Sequence, residues 1–220
     1  MVVFFDLSLE LIGYSDIFIV LLNKLLQKYA EVVFVDIFLR AVRVFSSGAV
    51  IVDEVIEYYH DRPTVVMGHS RGGTHALLAG TTNPYVTQFV AIMSHHGPTT
   101  VGLPKEGESV SISYRDLPPG TSRTEEQKEF RLPTAYFSDQ LQYDALPALK
   151  ASTRPKLFVY GTKDVLVSTE SVQSMYNDSA EPKLIHAVET EHDYRLHPEA
   201  INEVNETIGE FLDNYSGRVS

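Results

Sequence analysis

Cysteine is absent from the 220-residue chain. That excludes a disulfide framework, a thiolate nucleophile and a cysteine-ligated zinc site, and it leaves the redox compartment unread. Long apolar runs are missing too. The longest, Ile17 to Leu22, falls far short of the roughly 20 residues a membrane span needs. The opening MVVFFDLSLE carries no basic segment, and Asp6 interrupts its apolar stretch. It does not read as a signal peptide, so a cytoplasmic protein is expected. No segment repeats with a period of about 20–50 residues, which argues against a solenoid or propeller. Basic residues are outnumbered, 18 Lys and Arg against 29 Asp and Glu, for a net charge of −11. Such a surface repels phosphate backbones and anionic membranes, so no nucleic-acid partner is expected.

What remains is an ordinary globular composition, 44% apolar and 21% charged. The length suits one domain spanning residues 1–220, with room for a modest insertion. Short apolar runs alternate with helical patterns. Val2–Phe5, Val32–Val35, Thr64–Met67, Phe89–Met93, Leu157–Tyr160 and Leu184–Val188 read as six strands. Helical spacing occupies 15–28, 49–59, 71–80 and 199–215, the last with Ile201, Val204, Ile208, Phe211 and Leu212 on one face. Strands that are continuously apolar are expected to be buried on both faces. That predicts an α/β fold, a mostly parallel sheet with helices on each side. The rhythm breaks between 97 and 150, where prolines, glycines and mixed charge accumulate. This segment reads as a cap-like insertion over one edge of the sheet, with short helices of its own.

One motif carries chemistry. Gly68-His69-Ser70-Arg71-Gly72 follows the strand TVVMG and opens a helical stretch. Chance alone produces G-x-S-x-G in roughly one chain in fourteen of this length, so the strand-to-helix context carries the weight. A tight turn there strains Ser70 and lifts its hydroxyl clear of the sheet. Gly68 and Gly72 let neighbouring backbone approach. The backbone N–H of Arg71, at a helix N-terminus, suits a developing oxyanion. The plainer reading is a glycine-rich turn with Ser70 as helix cap. His69 reads as packing beneath the turn.

With this motif in this context, the chain resembles the α/β-hydrolase fold family from Val2 to about Tyr215. The family's order is nucleophile, acid, histidine. The resemblance implies Ser70 as nucleophile, Asp164 after the strand LFVYG as acid, and His192 in the loop after the last strand as base. Asp193, Asp139 and Asp144 compete for the acid, and His197 and His186 for the base, with His186 read as a packed strand residue. The second oxyanion donor would come from Leu7 or Ser8, where the family usually has His-Gly and this chain has Asp6-Leu7-Ser8. A carboxylate at Asp6 would oppose negative charge if it pointed inward. The chain begins at what would be the family's third strand. That leaves a sheet edge that a second copy could cover, as a homodimer.

His95-His96 follows a strand at the end of the sheet where ligands bind. Pocket lining, a structural loop and a metal site all remain open for the pair. Tyr136 and Phe137 are further pocket candidates, beside Leu117, Phe130, Leu141 and Tyr143 as a pocket roof. No metal or nucleotide motif stands out, so no cofactor is expected. The implied activity is hydrolysis of a carboxylic ester or thioester with a small or medium acyl group, through an acyl-enzyme. Cleavage of a C–C bond by the same residues, or a weakly active ligand-binding homologue, are the alternatives.

Overall fold

The structure, a computed structural model, describes residues 2–6, 32–36, 45–59, 61, 63–116 and 127–215. The helix expected at 15–28, and Leu7, Ser8 and Leu117, lie outside these residues. Six strands form one parallel sheet: β1 (Val2–Asp6), β2 (Val32–Asp36), β3 (Thr64–His69), β4 (Val86–Ile92), β7 (Lys156–Gly161) and β8 (Lys183–Val188). Their order is β2-β1-β3-β4-β7-β8. The register places Asp6 of β1 beside His69 of β3.

Alternation along the interior strands sends side chains to two separate cores, as the pleat requires. Val65, Met67, Val90, Ile92, Leu157 and Val159 face α6 (Pro198–Tyr215). That helix buries Ile201, Val204, Ile208, Phe211 and Leu212, the face its spacing marks out. Val66, Phe89, Ala91 and Phe158 face the other way. There they meet α1 (Phe45–Tyr58), α2 (Arg71–Thr82) and α5 (Thr169–Asp178). Burial on both faces explains why β3 has no exposed position. By contrast β8, at the sheet edge, is only partly buried.

The segment between β4 and β7 departs from expectation. It holds an antiparallel hairpin, β5 (Val110–Asp116) with β6 (Gln127–Pro133), and two short helices, α3 (Thr134–Gln140) and α4 (Leu146–Leu149). The sequence reading found no strand there. The alternation Val110, Ile112, Tyr114 was available as a signal, but the prolines and charges around it hid it. The segment also does not arise at an edge. It leaves and returns between β4 and β7, which are interior neighbours.

No helix among the described residues is long and apolar enough to cross a membrane.

Candidate active site

In a parallel sheet every strand delivers the loop that follows it to the same side, so residues after neighbouring strands converge. Ser70 follows β3, His95 follows β4, Asp164 follows β7 and His192 follows β8. These four strands are consecutive in the sheet. Sequence separation of more than a hundred residues between Ser70 and His192 thus becomes contact.

The turn at Ser70 has φ 55° and ψ −124°. A non-glycine residue in the left-handed region costs of order 1–3 kcal/mol and persists only where the surroundings hold it. Here its N–H bonds the Ile92 carbonyl of β4 at 2.9 Å, and its carbonyl accepts from Gly73 N at 3.0 Å. A Cβ on Gly68 would collide with the Gly72 backbone, so the strand can pass into the helix this tightly only with glycine at 68. Ser70 makes no side-chain capping bond to α2. Its hydroxyl is turned elsewhere, and the helix-cap reading does not hold.

That hydroxyl lies 2.8 Å from His192 Nε2, and His192 Nδ1 lies 2.8 Å from Asp164 Oδ2. Asp164 is the deepest of the three, its side chain fully buried. Its second oxygen, Oδ1, accepts from the backbone N–H groups of Leu166 at 2.8 Å and Val167 at 2.9 Å. Burial pushes its pKa up. The hydrogen bond and charge of His192, with the two backbone donors, outweigh that and hold it below 3.8. An ionised carboxylate only accepts, so His192 carries its proton on Nδ1 and presents the Nε2 lone pair to the Ser70 O–H.

Two neighbours fix this geometry from behind. His69 is buried and its Nε2–H donates to the His192 carbonyl at 2.9 Å. Lys163 N donates to the Thr190 carbonyl at 3.0 Å, joining the loop of Asp164 to that of His192. The competing residues lie elsewhere. His197 bonds Glu191 at 2.9 Å, Asp139 accepts from Ser46 N at 2.6 Å and Asp144 holds His96 at 2.7 Å. Asp193 meets Arg195 at 3.4 Å. His186 is not a core residue. It sits on the edge strand and pairs with Glu203 at 2.8 Å.

Among the described residues, one cavity touches Ser70 and His192 and a second shares part of its wall. The first, a narrow one of about 20 Å³, room for about one water, touches Ser70, His192, Arg71, Gln140 and Leu166. The second, a larger one of about 410 Å³, is lined by His96, Pro98, Thr100, Leu141 and Ser171. His95 and Thr99 line both, so the two are neighbours. That volume is in the range of small-ligand sites.

His95 and His96 are therefore cavity residues, each already engaged: His95 Nε2–H donates to the Leu166 carbonyl at 3.2 Å, and His96 bonds Asp144. No cluster of three or more His, Asp or Glu suited to a metal occurs among the described residues. Tyr136 and Phe137 line neither cavity. Both are buried core residues under the Arg71 guanidinium, 5.8 and 5.2 Å from their ring centres. Their aromatic character fits a core as well as a pocket, which is why sequence alone misplaced them. Arg71 itself does more than its backbone suggested. Its side chain donates to the Val101 carbonyl at 2.8 Å and to Gln140 Oε1 at 3.1 Å, tying the 97–150 segment to the serine turn. Nothing in the sequence marked Val101 or Gln140. Leu141 does line the larger cavity.

No family model and no curated protein sequence matches the chain. Solved structures do. A monoacylglycerol lipase from Paleococcus ferrophilus aligns over 96% of this chain and 93% of its own, with TM-score 0.72 and 18% identity. The esterase domain of a Rhodothermus marinus protein aligns over 96% of this chain and 85% of its own, with TM-score 0.69 and 15% identity. Est1E from Butyrivibrio proteoclasticus covers 96% and 87%, with TM-score 0.66 and 15% identity. The order of strands, the strained serine turn and these likenesses together give the chain the α/β-hydrolase fold.

Proposed function

We propose that the protein is a serine hydrolase that cleaves a small carboxylic ester or thioester through an acyl-enzyme. The observation that carries this reading is the pair of 2.8 Å hydrogen bonds running from Ser70 through His192 to Asp164. Esterase and lipase names among the structural neighbours support it at the level of ester hydrolysis.

Ser70 Oγ attacks the acyl carbon while His192 Nε2 takes its proton. Asp164 stabilises the imidazolium and keeps Nδ1 protonated. The Arg71 backbone N–H supports the oxyanion, with Leu7 or Ser8 as second donor. His192 returns the proton to the leaving alcohol or thiol. Water, deprotonated by the same ring, then attacks the acyl-enzyme, and Ser70 leaves with the proton. The larger cavity receives one arm of the substrate, with Pro98, Thr99, Thr100 and Leu141 of the same single domain in its wall.

The test is intact mass after incubation with a fluorophosphonate. One adduct on the parent and none on Ser70→Ala is the expected result. The narrowness of the 20 Å³ cleft favours one other reading, a binding protein with little turnover. A folded parent that takes no adduct would replace the first reading with that one.

A further inference from the structure

The geometry points to His95 as a positioning residue that holds the acid loop in register with His192. This rests on the serine hydrolase reading. A chain of hydrogen bonds carries it. His95 Nε2–H donates to the Leu166 carbonyl at 3.2 Å. The N–H of the same residue, Leu166, donates to Asp164 Oδ1 at 2.8 Å, and Asp164 Oδ2 accepts from His192. His95 thus grips the peptide that grips the carboxylate.

His95 is in turn held from the core. Its backbone carbonyl accepts from Thr74 Oγ1 on α2 and Ser94 Oγ, each at 2.9 Å. Thr74 lies one turn after Ser70, so the serine turn and the acid loop are referred to the same short helix segment. Val165, between Asp164 and Leu166, is 91% exposed. The loop's outer side has little packing of its own, and the His95 bond supplies hold from the inner side.

A carbonyl only accepts, so the ring must keep a proton on Nε2. Among the described residues, the charged and titratable groups acting on His95 are Arg71, His192 and His96. Burial first, then these three, lower its pKa, while the Leu166 carbonyl acts in the opposite direction. A neutral ring protonated at Nε2 satisfies the bond without placing a second cation beside the imidazolium that forms on His192.

The test compares the parent with His95→Phe, His95→Asn and His95→Gln on p-nitrophenyl acetate, with folding checked by circular dichroism. Phe keeps a flat ring without the donor. Asn keeps an amide too short to reach the carbonyl. Gln restores an N–H at about the reach of Nε2. The expected result is a fall in kcat of about 10- to 100-fold for Phe and Asn with KM little changed, as for a displaced catalytic group. The acid limb of the kcat/KM profile moves to lower pH, because a misplaced Asp164 stabilises the imidazolium less. Gln recovers most of both. In an Asp164→Asn background, His95→Phe costs nothing further.

Unchanged kcat and acid limb, or a change in KM alone, would make His95 a wall of the cavity and overturn the proposal. Failure of both Phe and Asn to fold would make it a stability residue, with the same consequence. A parent that takes the fluorophosphonate while the His95 variants behave as the parent sinks this proposal alone. A folded parent that takes no adduct sinks the hydrolase reading and this proposal with it.

Discussion

Gly161 lies so close to Thr190 that a Cβ on it would stand 2.5 Å from the Thr190 carbonyl oxygen. Gly161 ends β7 just before the acid loop, and Thr190 follows β8 just before His192. The absence of a side chain at 161 is what lets the two loops touch. Gly161→Ala should therefore push Asp164 away from His192. We expect a stability loss of about 1–3 kcal/mol by urea denaturation, together with a fall in ester turnover. Gly209→Ala is the control. Gly209 sits in α6 with open space around it, and alanine there should add about 0.5–1 kcal/mol.

Asp164 contributes stability as a carboxylate because its pKa is lowered on folding. Its contribution is complete above the ordinary value of 3.8 and is lost as pH falls through the lowered native value. Asp164→Asn should lie below the parent in thermal midpoint at pH 7, and the gap should close as the pH drops below about 4. Melting curves from pH 7 to pH 3 measure this. A gap that stays constant would mean that Asp164 contributes by shape rather than by charge.

His75 has the opposite character. It is buried in α2, stacked on Phe45 with ring centres 4.2 Å apart, and neither ring nitrogen has a hydrogen-bond partner. Burial, and then the Arg71 charge, lower its pKa from 6.5 to about 3. The unfolded chain takes up a proton there below about pH 6.5, whereas the native protein does so only near pH 3. Acid between those values therefore favours unfolding. His75→Leu should flatten the fall in thermal midpoint between pH 7 and pH 4. An unchanged slope would show that other groups govern the acid sensitivity.

Arg71→Gln keeps the backbone N–H proposed to support the oxyanion but shortens the arm that reaches Val101 and Gln140. Val101 and Gln140 should then be held less firmly beside the narrow cavity. We expect KM for p-nitrophenyl butyrate to rise by roughly 3- to 10-fold, as for about 1 kcal/mol of lost binding, with kcat closer to that of the parent. Steady-state kinetics decide it.

Much of this molecule was legible in its residues. Ser70, Asp164 and His192 come together because each follows an apolar run ended by a turn, and a parallel sheet delivers such turns to one side. The helical face from Ile201 to Leu212 was equally plain. Helix α5 was missed because it is largely polar and buries only Val172 and Met175 among its ten residues. Its start, where Ser168 accepts from Ser171 N at 3.2 Å, is a local cap visible only once that serine is suspected of capping. Tyr136, Phe137 and His186 were misread for one reason. Residue type tells how apolar a side chain is, not whether it meets core, cavity or sheet edge. The backbone donors of Leu166 and Val167 leave no trace in side-chain identity at all.

The hairpin and short helices between β4 and β7 interrupt two strands that lie side by side. Closing a flexible loop costs only about 0.6 kcal/mol more for each doubling of its length. The sheet is far less forgiving, since a one-residue slip in β4 or β7 would exchange the residues on its two faces. Length between these strands is thus cheaper to change than register within them, provided Tyr136, Phe137 and Leu149 keep their places in the core. Under the proposed function, a change of substrate would be sought in this interval, with Ser70, Asp164 and His192 left where they are.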